Sequence, residues 1–190
     1  MIAPRLSTEL EMPVRLFRSF LIGTLAATGV ASIAHAQASA NVSATGTVTI
    51  FRPITLTKNT DLSFGTLVRP GSGSGTVTIA QADGARTFTG GVALLSTGPN
   101  ATAGRATYTV NGEGGQSFSI TVPANFTMTR TGGAETILVT LTPTATTGAL
   151  SNALGAAGSA TFGVGGELPV SDTTATGAYT GTFSTTVAYN

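Results

Sequence analysis

Cysteine and tryptophan are absent from this 190-residue chain, histidine occurs once, and only 9% of the residues carry a charge. Without cysteine there are neither disulfides nor thiol chemistry. The one histidine, His35, lies in a segment that we expect to be removed. Ser-His-Asp and Cys-His catalysis and histidine-rich zinc sites are therefore excluded from the remaining chain. We expect no enzyme, no cofactor and no metal site.

Carboxylates are the remaining candidates for catalysis, because a pair of them can carry out hydrolysis. Asp61 could meet Asp83 in space, and Glu113 could meet Glu135, but nothing in their sequence spacing favours either pair. We expect all four side chains at solvated turn or edge positions.

The N-terminus has the pattern of an export signal. Arg15 and Arg18 precede an apolar or small-residue run over 20–33, and Ala34-His35-Ala36 is a small-x-small cleavage box. The pattern predicts a cleaved signal peptide over 1–36 and a mature start at Gln37. The apolar run is shorter than the roughly 20 residues of a transmembrane helix, so we expect no stable membrane insertion.

The charge and composition of the mature chain favour a neutral β protein. From Gln37 onward there are six basic and six acidic side chains, which gives zero net charge. Such a chain has no electrostatic attraction to nucleic acid or to an anionic membrane. Threonine, which suits exposed strand faces, and glycine, which marks turns, dominate the rest. The composition predicts an all-β domain.

Short alternating segments about ten residues apart predict the strands, and Pro70-Gly71, Asp83-Gly84, Asn111-Gly112 and Gly132-Gly133 predict turns. This spacing is typical of a single antiparallel β-sandwich of immunoglobulin-like or jelly-roll type. Residues 144–158 lack alternation and predict a loop. The predicted strands are Ile54–Lys58, Leu62–Val68, Gly75–Ala80, Arg86–Leu94, Ala106–Val110, Ser117–Pro123, Phe126–Arg130, Ile137–Thr142, Ala160–Val164 and Tyr179–Tyr189.

The two ends of the mature chain alternate most regularly. Near the C-terminus, one side of an extended strand would carry Tyr179, Phe183, Val187 and Tyr189. The other side would carry Thr, Ser or Ala at positions 180, 182, 184, 186 and 188. Period-two alternation predicts a half-buried strand. Near the N-terminus a second such stripe precedes Pro53, which interrupts it because proline cannot donate a ladder hydrogen bond. The N-terminal stripe comprises Val42, Ala44, Gly46, Val48 and Ile50.

The C-terminal pattern resembles that of subunits of chaperone–usher pili. In that family a glycine fourteen residues from the end is followed by alternating apolar residues and a penultimate aromatic, as at Gly177, Phe183, Val187 and Tyr189. The resemblance implies an incomplete immunoglobulin-like sandwich whose C-terminal strand borders an open groove and contacts a periplasmic chaperone. The N-terminal extension of the next subunit then fills that groove by β-strand addition.

A second resemblance covers most of the mature chain. The segment Ile54-Thr-Leu-Thr-Lys-Asn-Thr-Asp-Leu-Ser-Phe-Gly-Thr-Leu-Val68, together with Gly90-Gly-Val-Ala-Leu-Leu95 and the start of the C-terminal pattern at Gly177, is similar to the domain-of-unknown-function 4402 family of exported proteobacterial proteins. That family is uncharacterised, so the resemblance implies fold and compartment more than activity.

These patterns predict three regions: the signal peptide 1–36, an N-terminal extension or donor strand 37–52, and a β-sandwich 53–190. The resemblances imply a structural pilus subunit that passes through the periplasm to the cell surface, with identical subunits, a chaperone and an outer-membrane usher as partners. Two alternatives stay open. Residues 40–50 could be the first strand of the chain's own sheet, and the protein could be a self-contained exported module that binds a glycan or surface ligand.

Overall fold

The molecule is built from antiparallel strands, and a computed structural model describes residues 39–190 of it. The predicted signal peptide lies outside the described residues. Those residues contain no helix, and hence none with the length and apolarity that crossing a bilayer would need. Their strands are β1 (Thr55–Thr60), β2 (Thr66–Val68), β3 (Ser74–Ile79), β4 (Arg86–Phe88), β5 (Ala93–Leu95), β6 (Ala106–Glu113), β7 (Ser117–Thr121), β8 (Asn125–Arg130), β9 (Thr136–Pro143), β10 (Thr147–Ala149), β11 (Ala157–Ser171), β12 (Tyr179–Thr180) and β13 (Thr186–Tyr189).

The largest sheet has eight strands and is organised around β11. Its main path is β1-β6-β11-β9-β8-β12, and β3 joins β11 and carries β4. The 15-residue β11 pairs first with β6 and then with β3, while β9 pairs with its central part. Because β1 and β12 are the two ends of the main path, each has one edge without a strand partner in this sheet.

Two smaller sheets complete the architecture. One has the order β10-β7-β13, and the other is the pair β2-β5. Phe118 and Ile120 of β7 pack in one buried cluster with Tyr108 and Val110 of β6, so the three-stranded sheet faces the large sheet across a core. The prediction of an all-β, antiparallel β-sandwich is confirmed.

The apolar core of the compact unit Thr47–Asn190 consists of two clusters. Core 1 lies between β6, β7 and β11, and core 2 lies between β3, β9 and the end of β11. Leu62 and Phe126 are half-buried and pack against both clusters. Core 1 contains Ala106, Tyr108, Val110, Phe118, Ile120, Leu141, Leu150, Phe162 and Val164, and core 2 contains Phe64, Val77, Ile79, Val92, Val139, Leu168 and Val170.

Several local predictions are wrong, including that of one strand over Leu62–Val68, of which only Thr66–Val68 is a strand. Asn111-Gly112 is not a turn but part of β6, and the chain turns afterwards at Gly114-Gly115. The predicted strand Arg86–Leu94 is two strands, because Gly90 takes a positive φ of 66° between them. The predicted loop 144–158 contains β10, which pairs with β7, and the start of β11.

Candidate strand-binding groove

Strands β1 and β13 lie near each other but form no hydrogen-bonded ladder. One wall is residues 54–69, which contain β1 and β2, and the other is residues 174–189, which contain β12 and β13. Among the described strands, β1 pairs only with β6 and β13 pairs only with β7. The outer edges of β1 and β13 therefore carry backbone amides and carbonyls with no strand partner among the described residues, the feature by which a sheet edge takes up a further strand. We call the space between these walls the groove.

Apolar side chains that are incompletely covered line the groove next to core 1. Ile54 and Leu56 come from the first wall, and Phe183, Val187 and Tyr189 come from the second; all five are half-buried and pack against core 1. Half-buried apolar surface still gains about 25 cal/mol for each Å² that a partner removes from water. The floor therefore favours an apolar occupant.

A cavity of about 670 Å3 lies over core 2. Both walls reach it, through residues 62–69 and 174–179, and Arg69 Nη1 spans them by donating to the Thr174 carbonyl oxygen over 2.6 Å. Its apolar lining comes from Leu62, Phe64, Leu67, Met128, Ile137, Leu168, Val170 and Tyr179.

Tyr189 contacts the segment that precedes β1. Its ring meets that of Phe51 edge-on, with the centroids 5.7 Å apart. Its hydroxyl accepts a hydrogen bond from the Glu113 amide over 2.6 Å and donates one to the Arg52 carbonyl oxygen over 2.9 Å. The penultimate residue thus joins the C-terminal strand to the segment that leads into β1.

Glu113 is 2% exposed and lies directly beneath this junction. Its carboxylate accepts hydrogen bonds from the Gly155 amide at 2.5 Å, the Arg52 amide at 3.2 Å and Arg52 Nη1 at 2.9 Å. The Gly155 amide is the main reason that the pKa of Glu113 is lowered from its ordinary value, and Arg52 lowers it further, while burial opposes both. The predicted solvated position of Glu113 is therefore wrong, because Arg52, 61 residues away, covers it.

The alternation predicted for the C-terminal strand is present in the structure. Tyr179, Phe183, Val187 and Tyr189 are half-buried, and the intervening residues 180, 182, 184, 186 and 188 are exposed. The strand itself is interrupted, because β12 pairs with β8 in the large sheet and β13 pairs with β7 in the three-stranded sheet. The second wall of the groove thus passes from one sheet to the other. The prediction of a single strand over 179–189 is therefore wrong in this respect.

Gly177 has a local conformational reason to be glycine. Its φ is +145°, and a Cβ there would lie 2.8 Å from Arg130 Nε. Arg130 lies across this position because its Nε donates to the Thr176 carbonyl oxygen over 2.8 Å. The glycine therefore lets the chain enter β12 beneath an arginine side chain.

The predicted donor residues lie outside every strand of the described chain. Residues 39–54 have no sheet partner; Val42 is 93% exposed, and Val48 and Ile50 are each 82% exposed. Ala44 is exposed, and nothing lies within 4 Å of a Cβ built on Gly46. Their role as a donor strand stays a prediction.

Chemistry-bearing side chains do not converge in the described part of the chain. Among residues 39–190 no group of three or more Asp, Glu, His or Cys side chains could hold a metal ion. Asp61 contacts Lys58, and Glu135 contacts Arg130 over 3.0 Å, so both carboxylates are engaged with neighbouring cations at the surface.

A comparison with known protein families finds a match for most of the chain. A family model described as a domain of unknown function (DUF4402) matches residues 54–189. No curated protein and no solved structure matches the chain.

Proposed function

The chain belongs to the DUF4402 family, and from its own surfaces we propose that it is a structural subunit of a bacterial surface pilus, assembled by donor-strand exchange. A chaperone–usher pathway would deliver it from the periplasm to the cell surface. The observation that carries the proposal is the groove, which has unpaired strand edges on both walls and a half-covered apolar floor.

The N-terminal segment has the properties of the missing occupant. It alternates from Val42 to Ile50, and its largest apolar side chains are exposed. Residues 38–51 contain no charged residue, so they bring no charge to an apolar floor. Residues 40–50 and residues 179–189 each comprise eleven residues. At about 3.3 Å per extended residue, the two segments would span similar lengths.

The available free energy is large enough for stable association. Burial of Val42, Val48 and Ile50 contributes roughly 1.5–3 kcal/mol each as an upper estimate. Each backbone hydrogen bond added along a free edge contributes about 1 kcal/mol. The donor of one subunit would enter the groove of the next, and such a head-to-tail contact does not close on itself but builds a fibre.

The test compares the exported chain with a synthetic peptide of residues 38–51. We expect the chain to form polymers in size-exclusion chromatography, and excess peptide to trap monomers and raise their melting temperature. Deletion of residues 37–50 should abolish polymers while leaving peptide binding intact. The matched control peptide carries Val48→Asp. It should neither trap monomers nor raise their melting temperature.

A stable monomer that is indifferent to the wild-type peptide would contradict the proposal. It would favour a self-contained module instead, whose apolar cavity near Phe64 and Tyr179 would then be screened for ligands.

A further inference from the structure

Glu113 is the buried charged residue among residues 39–190, in a chain that has few charges to place. Burying a carboxylate costs free energy unless it is paired and hydrogen-bonded. Glu113 meets this demand through Arg52 and the Gly155 amide. A buried ion pair is weak evidence for net stability, but this one gives Arg52 a hydrogen-bond partner at both its amide and its guanidinium.

Arg52 is the root of the predicted donor segment. Its backbone is held at both polar groups, since its amide donates to Glu113 and its carbonyl oxygen accepts from Tyr189. Its side chain reaches further, with Nη2 donating to the Gly155 carbonyl oxygen over 3.1 Å. Residue 52 is therefore held in place, whereas Ile50 is 82% exposed. The chain thus passes from a hydrogen-bonded residue, Arg52, to an exposed one, Ile50, within two positions.

The same network holds the end of the second wall. The Glu113 amide donates to the Tyr189 hydroxyl, and Tyr189 packs against Phe51. Glu113 thus contacts the donor root through its side chain and the acceptor wall through its backbone. A strand bound along the free edge of β13 would stabilise the position of Tyr189, and Tyr189 in turn contacts Arg52.

We infer that Glu113 is a positioning residue that couples the two binding elements of one subunit, so that filling its groove orders the root of its own donor segment. This inference rests on the proposed function. Coupling of this kind is reciprocal: if a bound strand stabilises the latch formed by Arg52, Glu113 and Tyr189, then breaking the latch weakens strand binding by the same factor.

The chain contains no cysteine, so a single label can be placed by Ile50→Cys, in a chain that also carries Val48→Asp so that it does not polymerise and its own donor segment stays out of a neighbour's groove. A nitroxide at that exposed position reports the mobility of the donor root in the exported chain, with the peptide of residues 38–51 as probe. We expect the peptide to reduce label mobility when Glu113 is present. In Glu113→Gln the label should stay mobile with or without peptide, and the peptide should bind about fivefold more weakly or worse.

Glu135→Gln is the matched control, because Glu135 forms a surface pair with Arg130. It should behave as wild type in both measurements. If Glu113→Gln does not fold, Tyr189→Phe breaks the same network at the Tyr189 hydroxyl and leaves the Arg52–Glu113 pair in place. Equal peptide affinity and equal mobility in all folded variants would overturn the inference alone. Failure of the peptide to bind the wild-type chain would overturn the proposed function as well.

Discussion

The Tyr189 hydroxyl donates a hydrogen bond to the carbonyl oxygen of Arg52, 137 residues earlier in the chain. This bond joins the last strand to a residue three positions before β1. Together with the Glu113 amide it makes the penultimate hydroxyl both an acceptor and a donor. An aromatic ring alone would satisfy the packing against Phe51, so the phenol has a separate role.

Replacing that hydroxyl tests the role. Tyr189→Phe keeps the ring but loses two hydrogen bonds, and it leaves the Glu113 amide without its partner. We expect a loss of about 1–3 kcal/mol in the free energy of unfolding, measured by urea denaturation. Tyr179→Phe, which loses one bond to the Ala175 carbonyl oxygen, is the control and should cost less. An equal loss in the free energy of unfolding for both variants would show that the two hydrogen bonds of the Tyr189 hydroxyl contribute no more than the single bond of Tyr179.

Gly177→Ala should destabilise the fold for two reasons that act together. Its φ of +145° is strained for an L-residue, and the added methyl group would meet Arg130. We expect a cost of about 1–3 kcal/mol, read from thermal melting. Gly71→Ala, with no neighbour within 4 Å of the new Cβ, should be nearly neutral. A neutral Gly177→Ala would mean that the entry into β12 relaxes freely.

Alternation in the donor segment makes a prediction that separates assembly from folding. Val48→Asp would place a charge in the neighbour's apolar groove, whereas Thr47→Asp would place it on the opposite side of the same extended segment. We expect Val48→Asp to weaken subunit association by more than tenfold in sedimentation experiments, with the melting temperature of the monomer unchanged. Equal weakening by Thr47→Asp would argue against a strand with one buried face.

Glu113 should make stability depend on acid pH. Because its pKa is lower in the folded chain than in the unfolded chain, it contributes stability that is fully present above the ordinary glutamate pKa, about 4.3, and is lost as the pH falls through the lower folded value. Melting temperatures of wild type and Glu113→Gln should therefore differ at neutral pH and approach each other in acid.

Comparing wild type with Glu113→Gln separates the effect of Glu113 on stability from that of a second carboxylate with a lowered pKa. That carboxylate is Glu135, whose own backbone amide and Arg130 lower its pKa, and it is present in both. A difference in melting temperature that stays constant down to strongly acid pH would contradict the assignment.

Local patterns predicted most of the strands because alternation depends only on which face of a strand is covered. Ser74–Ile79 and Asn125–Arg130 begin one residue before the predicted strands at Gly75 and Phe126, and the Gly132-Gly133 turn lies between β8 and β9 as expected. The half-buried positions of the C-terminal strand were predictable for the same reason.

Long-range contacts account for what the sequence could not show. Asn111-Gly112 has the composition of a hairpin turn, yet both residues lie in β6, where they pair with Ser159 and Gly158 of β11. The glycine leaves room for the Tyr189 side chain. The burial of Glu113 depends on Arg52 and Gly155, neither of which is near it in sequence. The passage of the last strand from one sheet to the other likewise depends on its partners β8 and β7.

In the proposed fibre, the position of β1 would have a mechanical consequence. Tension would enter a subunit through the strand held in its groove and leave through residues 50–52 at the start of β1. Antiparallel ladder bonds run perpendicular to the strands, so a pull along β1 loads its pairs with β6 together, in shear, instead of opening them one at a time. The Arg52–Glu113 pair stands ahead of that ladder and would bear the force first.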